Sequence, residues 1–175
     1  SEGNKDGLTS KTLENLSRIK FASENYAGRT ATLFMKFNLA DFGAGCVMSG
    51  VYGAVYDTLY VSENGIYPVF WGEKNGAASG CFFSFGELET YVLKLNSATL
   101  ETVNAVNLSG YTVYDRQALK QFGDKLYVVC SRTNGAGTSV VAFNASDLSR
   151  CSELKNIAPD ENVKSVSYKK EADGK

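Results

Sequence analysis

Thr32-Leu-Phe-Met-Lys-Phe-Asn38, Thr90-Tyr-Val-Leu-Lys-Leu-Asn96 and Thr138-Ser-Val-Val-Ala-Phe-Asn144 are three versions of one phrase. Each starts on Thr, alternates apolar with mixed residues, closes on an aromatic or Leu followed by Asn, and runs into a short polar stretch. Alternation of this kind marks a strand. Repetition of one supersecondary unit then decides the architecture, because a unit that cannot bury its own face must stack on its neighbours.

A second phrase accompanies the first. Asp57-Thr-Leu-Tyr-Val-Ser-Glu-Asn-Gly65 is echoed by Asp124-Lys-Leu-Tyr-Val-Val-Cys-Ser-Arg-Thr-Asn-Gly135. Each has Leu-Tyr-Val after Asp and then Asn-Gly, a pair suited to a tight hairpin because both positions tolerate positive φ. The expected order is a Leu-Tyr-Val strand, a turn, the Asn-ended strand, a short turn and a further strand. In the middle copy that further strand is 101–108, where Val103, Ala105 and Leu108 keep the alternation only in part.

This rhythm resembles the blades of β-propellers of the quinoprotein-like and surface seven-bladed repeat type. The resemblance rests on Leu59-Tyr60-Val61 with Val92-Leu93-Lys94-Leu95-Asn96, and on Leu126-Tyr127-Val128 with Val140-Val141-Ala142-Phe143-Asn144. Asn stands where many such blades have Asp, and the following Gly is replaced by Ala98-Thr99 and Ser146-Asp147. The resemblance implies an all-β fold of antiparallel four-stranded blades, in the form of the last two strands of one blade (31–50), two fuller blades (51–108 and 111–154) and a first strand of another at Val163-Lys-Ser-Val-Ser-Tyr168. A propeller closes with about four to eight blades, so this would be an incomplete ring. A larger chain or complex would complete it, or several copies would. Strands at this spacing fit a β-sandwich or small barrel equally well.

The remaining segments divide as a polar leader (1–9), an N-terminal arm (10–30), the repeat region (31–168) and a polar tail (169–175). Ser10 as N-cap with Leu13, Leu16 and Ile19 at three-residue steps predicts a short amphipathic helix near 10–19. The leader Ser1-Glu-Gly-Asn-Lys-Asp-Gly7 is similar to the segment after the lipidated cysteine in mature surface lipoproteins of Bacteroidota-type bacteria. That likeness implies an extracytoplasmic setting: cell surface, periplasmic or secreted.

Composition narrows function. A net charge of −1 with scattered Lys and Arg lacks the clustered positive charge that nucleic acid requires. No apolar run reaches the length of about 18 residues that a membrane helix needs. With no histidine, the chain lacks the imidazole base of Ser-His-Asp and Cys-His nucleophilic systems. Cys46, Cys81, Cys130 and Cys151 stand too far apart for a short-spaced zinc motif, and no cofactor is expected. Four cysteines allow three disulfide pairings, and free buried thiols fit equally well.

The strongest functional candidate is 66–88, read as an insertion between two strands. It holds the only Trp, Trp71, with Tyr67, Phe70, Phe82, Phe83 and Phe85. Aromatic rings give large contact area at low entropic cost, which suits recognition of a protein or glycan. The alternative is a hairpin packed into the core. Tyr111, Tyr114 and Arg116 form a second aromatic-polar candidate between repeats. Glu73, Glu87 and Glu89, with Asp115 and Asp124, are the carboxylates from which a glycan-active enzyme would draw an acid/base pair. The expectation is a binding module, with that enzyme or a structural subunit of a surface assembly as the alternatives.

Overall fold

The computed structural model describes residues 19–21, 31–41, 43, 45–52, 55–73, 88–113, 115, 117–133, 135 and 137–169. Twelve strands follow one another there: β1 (Ile19–Phe21), β2 (Ala31–Phe37), β3 (Cys46–Tyr52), β4 (Val55–Ser62), β5 (Gly65–Glu73), β6 (Leu88–Leu95), β7 (Thr102–Asn107), β8 (Tyr111–Thr112), β9 (Leu119–Phe122), β10 (Lys125–Arg132), β11 (Thr138–Asn144) and β12 (Arg150–Ala158). No helix occurs among the described residues. The expected helix lies outside them, except that Ile19 at its end opens β1.

The strands form three sheets, none closed. The N-terminal sheet has the order β1-β3-β2, with β1 parallel to β3 and β2 antiparallel. The central sheet is an up-and-down meander, β4-β5-β6-β7. The C-terminal sheet repeats that order as β10-β11-β12, with β8 and β9 sharing one edge of β10. The three quoted phrases are β2, β6 and β11, and in the two meanders the phrase is the third strand out.

The sheets stack face to face. Tyr67, Val69 and Val92 of the central sheet meet Leu126, Val128, Cys130, Val141 and Phe143 of the C-terminal sheet in one cluster. On the opposite face Phe70, Tyr91 and Leu93 pack against Val51, with Phe34 at the margin. The Phe34 and Phe70 rings meet edge to face at 6.2 Å. An antiparallel sheet commonly keeps one face in water. Here both faces of β5 and β6 are covered, and residues 67–70 and 90–95 are buried without alternation. That is why Tyr91-Val92-Leu93 reads as a continuous apolar run.

The Asn that ends each phrase seats the turn after it. The Asn96 amide donates to the Glu101 carbonyl at 2.9 Å, and the Leu100 amide to the Asn96 carbonyl at 2.8 Å. The turn after β11 repeats both bonds, Asn144 to Ser149 at 2.9 Å and Leu148 to Asn144 at 2.8 Å. Leu100 and Leu148 take positive φ, 57° and 59°, yet both are buried. A non-glycine residue there costs about 1–2 kcal/mol, whereas burying a Leu side chain gains roughly 1.5–3 kcal/mol. Packing wins, and the Leu is kept in a conformation it does not favour.

Two sequence expectations shift in register. Leu126-Tyr127-Val128 lies on β10, the second strand of its meander, whereas Leu59-Tyr60-Val61 lies on β4, the first. The true counterpart of Leu126-Tyr127 is Ile66-Tyr67, because Leu126 pairs with Phe143 and Ile66 with Leu95, each just before the turn Asn. The β4–β5 hairpin pairs Ser62 with Gly65, so Glu63-Asn64 and not Asn64-Gly65 is its loop. Gly65 sits in a tight place: a Cβ there would stand 3.2 Å from Lys94 Cε and 3.3 Å from the Tyr67 ring, so that these side chains would have to give by a few tenths of an ångström. Val163–Tyr168, expected as a strand, runs along the C-terminal sheet without joining it.

Replacing Leu148 by Ala is expected to lower unfolding free energy by about 2–4 kcal/mol, whereas Leu39→Ala, at a site 80% exposed, changes it by no more than about 0.5 kcal/mol. Because of the positive φ, Leu148→Gly should be at least as stable as Leu148→Ala, the reverse of the usual ranking within a strand. Urea unfolding of the three variants checks both statements.

Candidate functional site

An open recess lies where two hairpin ends meet, that of β4–β5 and that of β9–β10. In the first, the Asn64 amide donates to Ser62 Oγ at 3.2 Å and orders the Glu63-Asn64 loop. In the second, Gly123 supplies a positive φ of 57°, and Gln121 Nε2 donates to its carbonyl at 2.8 Å. Ser62 Oγ donates to Gln121 Oε1 at 2.7 Å and so joins the loops across 59 residues of sequence. The backbone N–H of Gln121, on an edge strand, donates to the Tyr60 hydroxyl at 3.0 Å.

Beneath this layer Tyr60 stacks on Tyr67, with ring centroids 6.0 Å apart and planes 25° apart. The Tyr67 hydroxyl donates to the Ala145 carbonyl at 3.0 Å. The Lys94 ammonium donates to that same carbonyl and to the Ser146 carbonyl, the latter at 2.7 Å. Lys94 is only 7% exposed. Desolvation lowers its pKa from the usual lysine value, while the Asp147 carboxylate works in the opposite direction. Desolvation also raises the Tyr67 hydroxyl. The floor of the recess is therefore a hydrogen-bonded chain with each member held by another.

The open cleft above it, about 370 Å³, is lined by Tyr60, Ser62, Glu63, Asn64, Gln121 and Gly123. On the other side of Tyr60 a smaller recess of about 160 Å³ is lined by Gln117, Leu119, Lys120 and Tyr168. The 161–169 segment forms its wall. The Val163 amide donates to Ser131 Oγ at 3.0 Å, the Val166 amide to Asp115 Oδ2 at 2.9 Å and the Tyr168 hydroxyl to the Ala118 carbonyl at 3.2 Å. Tyr168 also packs against Phe122, centroids 5.8 Å apart.

Of the residues singled out in the sequence, Tyr67 belongs to the buried floor of this recess, and the other described ones fall elsewhere. Tyr67 and Phe70 are fully buried, so for these two the core-packing alternative holds and neither presents a recognition surface. The first part of the 66–88 segment is strand β5. Its remainder, with Phe82, Phe83 and Phe85, lies outside the described residues, as do Tyr114, Arg116 and Cys81. Trp71 is 38% exposed, near the end of β5 opposite the cleft. Tyr111 is half-buried against the core and hydrogen-bonds Glu153. Of the carboxylates, Glu89 accepts from the Tyr91 hydroxyl. Asp124 pairs with Lys125 at 3.3 Å. Asp115 takes backbone amides on both oxygens, from Gln117 at 2.6 Å and from Val166. Glu87 and the Glu73 side chain lie outside the described residues.

Sequence reasoning did not single out Ser62, Asn64 or Gln121. Tyr60 was visible only as part of the Leu-Tyr-Val phrase, and nothing local marks Gln121, whose partners are about sixty residues away. Among the described residues no group of three or more His, Cys, Asp or Glu side chains is placed to hold a metal, and no helix is long and apolar enough to cross a membrane. No protein-family model, curated protein or solved structure matches this chain.

Cys46, Cys130 and Cys151 are free thiols. Cys46 and Cys151 are exposed, whereas burial pushes the Cys130 thiol up to about 12. Iodoacetamide near neutral pH should therefore modify Cys46 and Cys151 in the folded protein and reach Cys130 only in denaturant. Peptide mass spectrometry reads out each site, and rapid native labelling of Cys130 would contradict its placement.

Burial first, then Tyr60 and the Asp115 carboxylate, push the Tyr168 hydroxyl from its ordinary 10.0 up to about 12. Between those values the folded protein keeps a proton that the unfolded chain has released. The associated stability is fully present below the unfolded value and is lost as pH rises through the folded one. Urea midpoints at about pH 9 and about pH 11 should fall less in Tyr168→Phe than in the parent protein. Equal falls would show that Tyr168 titrates as it does in the unfolded chain.

Proposed function

We propose that this chain is a non-catalytic binding module that takes a neutral glycan in the cleft between the β4–β5 and β9–β10 hairpins. The observation that carries this reading is the lining itself. Tyr60, Ser62, Asn64 and Gln121 offer hydroxyl and carboxamide groups and a tyrosine, and Gln117 and Tyr168 extend the same chemistry across Tyr60. Paired hydroxyls of a sugar ring are met by planar amides that donate and accept at once, and its C–H face by an aromatic ring. The volume falls within the range of small-molecule sites. One acid and one base, Glu63 and Lys120, leave the lining without a dominant charge.

Preorganisation also supports the reading. Gln121, Ser62 and Tyr60 are fixed by bonds to one another, so a ligand would meet them with little rotamer entropy left to lose. Among the described residues the Glu63 carboxylate and the Asn64 carboxamide have no hydrogen-bond partner, which leaves them for a ligand. The fold fits a propeller-like arrangement of blades, because two four-stranded meanders follow in sequence and stack by their faces. An extracytoplasmic site of action, with the aromatic 74–87 connection as a second contact for a protein or glycan, belongs to the same proposal.

Titration calorimetry against a panel of neutral oligosaccharides tests it. Binding is expected for at least one member, and Glu63→Ala and Asn64→Ala should each weaken it about tenfold, equivalent to about 1.4 kcal/mol. Both sites lie on a surface loop, so the urea midpoint should stay where it was. No binding at millimolar sugar, or binding indifferent to both changes, would sink the proposal.

A further inference from the structure

We infer that the edge of β2 with which no described strand pairs is a docking site for a β-hairpin carried by another polypeptide. In the central and C-terminal sheets the phrase-bearing strand has neighbours on both sides. Beyond β6 lie β5 and β4, and beyond β11 lie β10 and β9. In the N-terminal sheet the phrase-bearing strand β2 ends the order, and no described strand pairs with its other edge. Relative to the two meanders, an inner pair of strands is missing from this sheet among the described residues.

The central sheet records the same gap from the side. On the face of β4 that meets the C-terminal sheet, β9 supplies the cover: the Gln121 N–H bonds Tyr60, and its side chain bonds Ser62. On the opposite face stand Leu59 and Val61, which pair with Pro68 and Ile66 and so share the side of Phe70 that meets the N-terminal sheet. Leu59 is 38% exposed and Val61 60% exposed. The inner strands of the N-terminal sheet would cover these two residues if they occupied the place that β9 and β10 hold in the C-terminal sheet.

The occupant follows from continuity with that existing interface. It is an antiparallel hairpin whose second strand pairs with β2 and whose first strand lays alternate apolar side chains over Leu59 and Val61. Main-chain bonds to the edge give affinity, and the alternating side chains give selectivity. A five-stranded sheet then faces the central one, as it does on the other side.

The probe is a backbone-cyclised peptide of residues 118–133, the hairpin that fills the equivalent place on the opposite face of β4. With the full chain we expect saturable binding by fluorescence anisotropy, and slower hydrogen exchange of the 31–37 amides but not of the 150–158 amides. Leu59→Lys and Val61→Lys should each weaken binding at least tenfold, whereas Leu154→Lys, at a site 63% exposed on another sheet, should leave it unchanged. Absence of binding at millimolar peptide, or binding that protects no β2 amide, overturns the inference. Equal binding by the Leu59, Val61 and Leu154 variants overturns it as well. If a lysine variant unfolds, the exchange pattern of the unaltered chain still decides.

Discussion

Burial of both faces of β5 and β6, the two inner strands of the central sheet, is the constraint from which the rest follows. A strand covered on both sides has no water to satisfy its polar groups, and each unpaired one costs about 1–3 kcal/mol. Lys94 is the severest case, since its side chain sits between two sheets. It is held by two carbonyls of the turn after β11, Ala145 and Ser146. Thr90 Oγ1, also buried on β6, has no partner. The central sheet tolerates these costs because the clusters on its two faces bury Tyr67, Val69, Val92, Phe70 and Leu93 together.

The Lys94 contact also explains why turns and not strands align the sheets. For its ammonium to reach Ala145, the turn after β11 must stand at one height relative to β6. That turn is set by Asn144 and by the positive φ of Leu148. The Ala145 amide in turn donates to the Asp124 carbonyl at 2.8 Å, which fixes the β9–β10 loop beside it. Gly65 completes the set, because any side chain there would press on Lys94 and Tyr67. The position of Gln121 against Ser62, and hence the cleft, is a consequence of these turn contacts.

Strand identity was legible because it rests on local pattern. The three quoted phrases are strands, and the spacing between their Asn residues reflects connection length: 74–87 joins β5 to β6, while only 133–137 joins β10 to β11. Register was less legible. Leu-Tyr-Val is common on any strand of this composition, so matching 59–61 with 126–128 paired strands of different rank. The Asn-x-x-x-Leu turn carried the more reliable signal, since Asn96 to Leu100 and Asn144 to Leu148 share both bonds and conformation. Site residues were the least legible. Aromatic content drew attention to Tyr67 and Phe70, which two-sided burial makes core. The cleft depends on Ser62 and Gln121, which no local pattern joins.

The two faces of β4 carry different chemistries. Toward the C-terminal sheet its hydroxyls, Tyr60 and Ser62, meet an edge strand whose N–H and amide side chain need partners, and the result is a fixed polar cleft. Toward the N-terminal sheet its other residues are aliphatic, Leu59 and Val61, and would meet a pleated apolar surface. A polar side fits a small ligand held by directional bonds, and an aliphatic side fits a second sheet held by area. Period-two alternation along 58–62 separates these chemistries with no change in backbone, because neighbouring side chains on a strand point to opposite faces. A one-residue slip of β4 against β5 would therefore exchange the two surfaces and abolish both. The short Glu63-Asn64 loop, closed by Ser62 against Gly65, is what prevents that slip.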